Sequence, residues 1–280
     1  MNSEHPTYTP TEWLARQRFT RLINDICAKN ALDITWFSDA WIARISKNDV
    51  HRFISGNTFP LNNAVSASLM RDKAAASVLL AAHSIPVVPH QLLWLPRMRE
   101  ITHAAARAQT LFPLPMVIKP NAESSGFDVY KCTTTDEVKT ATRALSKRHR
   151  AIAVSPFIEI KREFRIIMCE DSPLLIFSKQ RQANEWRHNL ARGATPAIVT
   201  DDTLRTHLTR LASQSMRALD AQLGAVDIVE TSTGYMIIEI NGGFVLDHFC
   251  QHSPEYKKLA EQVYETIIKK MMLPVNTTSH

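Results

Sequence analysis

Apolar residues recur every three or four positions in several parts of the chain. In one of them, residues 11–30, a potential helix-capping Thr11 precedes apolar residues at this spacing: Trp13, Leu14, Phe19, Leu22, Ile23 and Ile26. This period is that of an amphipathic helix. The same spacing predicts further helices over residues 64–83, 101–110, 136–148, 203–223 and 254–272.

Short apolar runs, bounded by Gly, Pro, Ser or Asn, lie between these helices and predict strands. The strands are expected at residues 32–37, 87–95, 116–119, 129–131, 151–157, 163–169, 174–179, 225–229 and 235–240. A hairpin or turn is expected at residues 52–61, around Ser55-Gly56-Asn57. Helices and strands are interspersed, and hairpins dominate the second half, so we predict an α+β or α/β fold.

One predicted hairpin carries charges inside apolar strands. Its runs at 225–229 and 235–240 each contain one carboxylate, Asp227 and Glu239, and Asn241 follows the second run directly. A charge buried in an apolar strand is costly unless it is paired or bound to a metal. Oxygen ligands from adjacent strands suit Mg²⁺, which also takes phosphate oxygens. The hairpin therefore predicts a magnesium–nucleotide site.

The composition is that of an ordinary folded protein. The chain has 280 residues, of which 45% are hydrophobic and 21% charged, and this length suits one large domain or two smaller ones. We expect an N-terminal region at residues 1–112 and a larger domain at 113–280. The larger domain would divide into a central lobe, 113–160, and a C-terminal lobe, 161–280.

Targeting and redox signals point to a cytoplasmic protein. No run of about 18 apolar residues is present, so no membrane span is expected. The N-terminal residues lack the basic and apolar regions of a secretory signal. The four cysteines are scattered without a CxxC pair, so we expect free thiols in a reducing compartment.

The net charge of +6 is concentrated in two basic runs, residues 139–150 and 179–192. A solvated helix face is the simpler interpretation of the first run, and a patch for an acidic partner is the alternative. No aromatic–basic module or zinc spacing accompanies these runs, so nucleic acid is not expected as a partner.

A lysine ends the predicted strand at 116–119, and a Ser-Ser-Gly turn follows it. Lys119 can neutralise a phosphate as a point charge, and the backbone N–H groups of Ser124, Ser125 and Gly126 can cover phosphates. No Gly-Lys-Ser/Thr motif is present, so the turn would act as a flap and not as a P-loop. A surface position for Lys119 is the competing interpretation.

Two further segments add weaker signals. The apolar hinge Pro156-Phe157-Ile158 can present backbone groups to a base, and Glu163 lies close behind it to accept ribose hydroxyls. The stretch WRHNLARG contains Arg187 and Arg192, whose guanidinium groups suit carboxylate and phosphate oxygens. A plain connecting loop and a basic surface loop are the competing interpretations.

Taken in chain order, these segments resemble the ATP-grasp superfamily. Residues 70–90 resemble the family's Asp-Lys helix and the Ile-Pro strand after it, and WRHNLARGATP resembles the glutamate ligase motif. The chain is most similar to carboxylate–amine ligases of the ribosomal-protein S6 glutamate ligase, glutathione synthetase and D-alanine–D-alanine ligase type. The resemblance covers roughly residues 65–272. It implies two α+β subdomains that clasp ATP, preceded by a small α/β N-terminal domain.

The resemblance also implies roles for individual residues. The ATP-binding set is Lys73, Lys119, Ser124, Ser125, Gly126, Ser155, Phe157, Ile158 and Glu163. Two Mg²⁺ ions, for which Mn²⁺ can substitute, would be held by Asp227, Glu239 and Asn241. The residues facing the γ-phosphate and the acyl phosphate would be Lys179, Arg187, Asn189 and Arg192. The candidates for substrate contact are His90, Arg165, His188, Asp247 and His248.

Some features depart from the family pattern. The flap is short and poor in glycine, and Ser155 stands where the family has a glutamate at the adenine hinge. The loop at residues 242–249 also differs, so the acceptor specificity of relatives does not carry over. For His90, a solvent-exposed or core position is the alternative to substrate contact.

The resemblance implies an ATP-dependent carboxylate–amine ligase that forms an amide bond through an acylphosphate. A kinase on the same fold and a non-catalytic nucleotide-binding module are the alternatives. The implied partners are small-molecule carboxylate and amine substrates, with a peptide acceptor suggested by the basic runs. A homodimer is common in the family, and neither nucleic acid nor a membrane is expected.

Overall fold

The structure, a computed structural model, describes residues 10–95, 101–123 and 128–273. These residues form two compact units, one made of residues up to Leu61 and from Gly243 onward, the other of Asn62–Gly242. The domain boundary predicted at residues 112 and 113 falls inside the second unit and stays a prediction. The predicted flap, Ser124, Ser125 and Gly126, lies outside the described residues. Among the described helices, none is long and apolar enough to cross a bilayer.

The first unit combines helices from both ends of the chain with a small antiparallel sheet of order β1-β2-β3. Its elements are α1 (Pro10–Lys29), β1 (Asp33–Phe37), β2 (Ile42–Lys47), β3 (Val50–Ser55), α7 (Asp247–Cys250) and α8 (Pro254–Met271). Tyr264 lies in the core of this unit. The centre of its ring is 5.5 Å from the centre of the Phe19 ring and 6.0 Å from that of the Phe59 ring. The turn expected around Ser55-Gly56-Asn57 is confirmed, because Ser55 and Thr58 exchange backbone hydrogen bonds of 3.1 and 2.9 Å across it, while β3 itself pairs with the unpredicted strand β2.

The second unit begins with two helices, α2 (Ala64–Arg71) and α3 (Lys73–Ala82), where one continuous helix was predicted. Asp72 separates them. Its backbone is extended (φ −89°, ψ 99°), and its carboxylate accepts the N–H of Ala75 at 2.8 Å, so it caps α3. The break places Lys73 in the first turn of α3, in a fixed orientation.

A four-stranded antiparallel sheet of order β4-β7-β5-β6 follows in this unit. Its strands and helices are β4 (Gln91–Trp94), α4 (Ile101–Leu111), β5 (Met116–Pro120), β6 (Tyr130–Cys132), α5 (Thr135–Ser146) and β7 (Ala151–Pro156). Thr134 and Glu137 form a capping box at the start of α5. The apolar faces of α4 and α5 pack on this sheet around Ile118 and Val154.

The five-stranded antiparallel sheet, of order β10-β9-β8-β11-β12, carries the predicted hairpin at one edge. Its elements are β8 (Arg162–Cys169), β9 (Ser172–Gln180), β10 (Thr195–Ile198), α6 (Asp202–Ala218), β11 (Leu223–Thr231) and β12 (Gly234–Asn241). The hairpin of β11 and β12 confirms the prediction at residues 223–241. Helix α6 covers one face of the sheet.

Candidate active site

Alternation along the strands gives the five-stranded sheet two different faces. On one face, Phe164, Ile166 and Val226 belong to the apolar core that also contains Leu208 and Leu211 of α6. The residues between them point to the opposite face, because successive side chains of a strand alternate. That opposite face, here called the charged face, carries Glu163, Arg165, Lys179, Asp227, Glu239 and Asn241.

Strand register brings these charges together. Arg165 of β8 is opposite Asp227 of β11, which is in turn opposite Glu239 of β12. Glu163 is opposite Lys179 on β9. Side chains opposite one another in antiparallel strands lie within contact distance. The pairing of distant segments therefore assembles the site.

Asp227 is the most tightly paired carboxylate of the charged face. Arg165 binds it with two hydrogen bonds, Nε to Oδ1 at 2.8 Å and Nη2 to Oδ2 at 2.6 Å. The Nζ atom of Lys179 lies 2.9 Å from Asp227 Oδ1 and 2.6 Å from Glu163 Oε1. Burial by itself would raise the pKa of Asp227, but the charges of Arg165 and Lys179 outweigh it and hold that pKa below its usual value.

Lys73 and Glu239 form a second ion pair, with Nζ and Oε1 3.2 Å apart. The Lys73 ammonium also donates to the carbonyl of Glu123. Asn121, just after β5, accepts the N–H of Lys73 on its carbonyl at 3.2 Å and that of Ala74 on its side chain at 3.1 Å. These contacts fix the start of α3 against the end of β5.

Lys119 projects from β5 and differs from the other cations. The residue is buried, yet within the described ranges its ammonium makes no hydrogen bond or ion pair. Burial lowers its pKa to about 8; Glu239 opposes that shift and Lys73 adds to it. Burying a charge without a directly bonded partner is costly, so an anion that reaches this ammonium would be stabilised there.

The three predicted metal ligands share the charged face. Asp227 is opposite Glu239, and Asn241 is two residues beyond Glu239. Across the described residues, no group of three His, Cys, Asp or Glu side chains could hold a metal by itself. Two carboxylates and an amide leave coordination positions for phosphate oxygens and water, as Mg²⁺ requires, so the donor set fits an ion that arrives with a nucleotide.

The hinge segment after β7 has an aromatic environment. Ser155 is buried in β7, and the next residues, Phe157 and Ile158, are half-buried. The ammonium of Lys131 lies 3.7 Å from the centre of the Phe157 ring, and the ring of Trp186 meets it edge-on at 5.8 Å. Sequence reasoning missed Lys131 and Trp186, although a tryptophan next to Arg187 was a visible signal.

The loop between β9 and β10 carries the predicted arginines. Glu185 accepts three hydrogen bonds from Arg187, at 3.0 Å from Nε, 2.9 Å from Nη2 and 3.1 Å from the backbone N–H. These bonds lower the pKa of Glu185 to about 2. Asn189 precedes a 3₁₀ turn, Leu190–Arg192, in which Arg192 is the last residue and after which Gly193 has φ +86°. The guanidinium of Arg187 is thus occupied by a carboxylate from its own loop.

The predicted substrate residues are divided between the units. His188 is buried and lies 2.9 Å from the carbonyl of Lys179 through Nδ1. His90 is buried, with 1% of its surface exposed. Asp247 and His248 belong to the first unit, where Asp247 accepts a hydrogen bond of 2.7 Å from Arg18 Nη2. The roles of all these residues stay predictions.

Replacing Glu185 by Gln is expected to strengthen the binding of anionic ligands at Arg187 by about fivefold. The pair is half-buried, where removing a competing carboxylate is worth about 1 kcal/mol. Titration calorimetry with Mg·ATP, with exposed Glu159→Gln as the control, measures this effect. Weaker binding in Glu185→Gln than in the control would instead show that Glu185 holds Arg187 in its working position.

The two antiparallel sheets of the second unit and the helices packed on them define an ATP-grasp fold. Residues 70–266, well over half of the chain, match the family described as the RimK-like ATP-grasp domain. The chain therefore belongs to the RimK-like ATP-grasp family. The family and fold inferred from the sequence are confirmed, as is the ATP-grasp ligase class.

Curated relatives carry ligase names. The chain is 24% identical over 231 residues to a probable alpha-L-glutamate ligase 2 of Hahella chejuensis, covering 80% of this chain and 71% of that protein. It is 25% identical over 197 residues to a probable alpha-L-glutamate ligase of Aeromonas salmonicida, covering 69% of this chain and 62% of that protein. The chain thus spans less than two thirds of the second relative.

A solved structure has the same fold. The D-alanine–D-alanine ligase from Bacillus anthracis complexed with ATP superposes with a TM-score of 0.55 at 16% identity. The superposition covers 75% of this chain and 69% of that one. At this identity the likeness shows the fold alone.

Proposed function

We propose that this protein joins a carboxylate to an amine at the expense of ATP, through an acylphosphate. The observation that carries the proposal is the buried Lys119 ammonium, which makes no ion pair within the described ranges although it lies in the same electrostatic cluster as Lys73, Glu239 and Asp227. The residues around Lys119 supply cations that can neutralise a polyphosphate. They also supply oxygen donors for the magnesium ion that accompanies the polyphosphate. The ligase names of the relatives support the same activity.

The first step needs charge neutralisation and alignment. An oxygen of the substrate carboxylate attacks the γ-phosphorus, the bond to ADP breaks, and the acylphosphate forms. Lys73 and Lys119 would bind the phosphates, and Arg187 would exchange Glu185 for an oxyanion. Asp227, Glu239 and Asn241 would hold Mg²⁺, which neutralises phosphate charge when bound. Phosphoryl transfer asks little more of a protein than such positioning.

In the second step the amine nitrogen attacks the acyl carbon. The carbon–oxygen bond to phosphate breaks, the amide forms, and the nitrogen loses a proton. Arg187, Asn189 and Arg192 would bind the departing phosphate. We infer that one substrate is an amino acid or a peptide, and glutamate is the first to test, because the relatives are named for it. A homodimer stays a prediction.

A screen of carboxylic acid and amine pairs tests the proposal. We expect phosphate release from ATP only when both substrates are present, together with an amide product in the mass spectrum. Glu230→Gln serves as the control variant, since Glu230 lies on the same hairpin but pairs with Arg162. ADP formation with a phosphorylated product would indicate a kinase, and an absence of Mg·ATP binding would indicate a non-catalytic module.

The affinity for nucleotide should fall as the pH rises through about 8. Phosphate binding needs Lys119 as ammonium, and the pKa of its free form is about 8. Below this pH the Lys119 side chain is already charged before the nucleotide binds. Above it, Lys119 must take up a proton when the nucleotide binds, which weakens the affinity by up to about tenfold per pH unit. Calorimetry of Mg·ATP in buffers of different ionisation enthalpy measures the affinity and the proton uptake.

The matched variant for this pH dependence is Lys119→Arg, because a guanidinium keeps its charge at every pH used. Its affinity should stay flat over the range where that of the wild type falls. Equal pH dependence in both proteins would show that another group is responsible.

A further inference from the structure

His90 is held in place at three of its four polar groups. Its backbone N–H donates to Ser77 Oγ at 3.0 Å, and Ser77 Oγ donates back to the His90 carbonyl at 3.2 Å. The ring atom Nδ1 lies 2.8 Å from the carbonyl of Val88. A carbonyl only accepts, so Nδ1 carries the proton and Nε2 presents a lone pair.

That lone pair has no partner among the described residues. Nε2 of His90 is fully buried and makes no hydrogen bond with any of them. A buried acceptor without a donor costs about 1–3 kcal/mol, so such an atom calls for an explanation.

The segment that carries His90 lies between α3 and β12. Val88 donates its N–H to the carbonyl of Ile237 at 2.8 Å, and Ile237 donates to the carbonyl of Pro86 at 2.8 Å. Ser77 attaches the same segment to α3, one turn beyond Lys73. The imidazole is therefore fixed to both elements that bear the Lys73–Glu239 ion pair.

A cavity of about 10 Å³ lies at this junction, and its polar lining residues are His90, Ser77, Lys73 and Glu239. A volume of about 10–15 Å³ admits one water molecule, provided that two to four polar groups surround it. Two nearby cations face the ring: Lys119 and Lys73 add to the effect of burial and keep the pKa of His90 well below 6.5. The ring is therefore neutral at physiological pH.

We propose that this cavity is a built site for one buried water, which joins His90 to the Lys73–Glu239 ion pair. The water donates to His90 Nε2 and to the Glu239 carboxylate, and it accepts from the Lys73 ammonium. His90 is then a positioning residue, which orients a phosphate-binding lysine and a magnesium ligand and does not touch the substrate.

Two variants separate this role from simple packing. His90→Phe keeps the ring size but removes the acceptor, and His90→Gln returns an amide oxygen near the position of Nε2. We expect His90→Phe to weaken Mg·ATP binding about tenfold, the equivalent of one hydrogen bond, with kcat changed less than about threefold. His90→Gln should bind within about threefold of the wild type. Equal binding by all three proteins, or equal loss in both variants, would overturn the role.

The wild-type protein gives a test that is independent of the variants. In ¹⁵N spectra, His90 should show a protonated Nδ1 and an unprotonated Nε2, and a high-resolution crystal structure should show one water in the cavity. A proton on Nε2 or an empty cavity would refute the proposal. The Mg·ATP-binding test of the variants rests on the proposed function, whereas the ¹⁵N spectra and the crystal structure do not. A wild-type protein that shows the water but binds no Mg·ATP would refute only the proposed function.

Discussion

Replacing Glu239 by Gln is expected to lower kcat about 100- to 1000-fold, while the melting temperature changes by only a few degrees. Removing one group that stabilises charge in the transition state typically costs about 3–4 kcal/mol of barrier. Glu239 is partly exposed and, among the residues that the structure describes, forms an ion pair with Lys73 alone, so its neutralisation disturbs few buried contacts. Steady-state kinetics and thermal unfolding of the same preparation measure both effects.

The control for this variant is Glu230→Gln, a carboxylate of the same hairpin that pairs with the exposed Arg162. It should keep kcat within about twofold, since exposed pairs contribute little. Wild-type turnover by Glu239→Gln would remove Glu239 from the metal site and with it the proposed arrangement of the charged face.

Replacing Asp227 by Asn is expected to abolish turnover and also to destabilise the fold by about 3–5 kcal/mol. Asp227 is 4% exposed and pairs with two cations, the half-buried Arg165 and the buried Lys179. Without the Asp227 carboxylate, the charges of Arg165 and Lys179 are no longer neutralised, and this lowers the free energy of unfolding. Urea unfolding of the two variants should therefore separate Asp227→Asn from Glu239→Gln.

The stability supplied by Asp227 also has a pH signature. Its pKa is lowered in the folded protein, so this stability is present above the unfolded pKa and is lost as the pH falls through the folded one. Asp136→Asn, at an exposed pair with Lys139, is the control and should unfold like the wild type. Unchanged stability in Asp227→Asn would mean that Arg165 and Lys179 find other partners.

Local sequence signals predicted the fold where one segment determines the structure by itself. The hairpin at residues 223–241 has its turn residues and its apolar alternation in one stretch, and it forms as predicted. The prediction of one continuous helix over residues 64–83 is wrong at a single position, because the Asp72 side chain caps a second helix there instead of continuing the first. Strand β2 alternates apolar residues with Arg44 and Ser46, but a pattern over so few residues is too weak to predict a strand.

The sequence predicted which residue types form the site, but it did not predict which side chains pair with one another. Asp227 was expected to need a cation or a metal, but the cations Arg165 and Lys179 come from strands more than forty residues away, through a register that local patterns do not specify. Glu185 was missed because its role depends on a loop conformation. For His90 the sequence leaves substrate contact, an exposed position and a core position open, because its hydrogen bonding with Ser77 depends on how α3 packs.

Isotope transfer tests the central claim most directly. With the carboxylate substrate labelled with ¹⁸O and with ATP unlabelled, ligation through an acylphosphate moves one labelled oxygen into the phosphate released. We expect one ¹⁸O per phosphate formed, and we expect this transfer to depend on both the acid and Glu239. Phosphate that carries no label while an amide accumulates would contradict it.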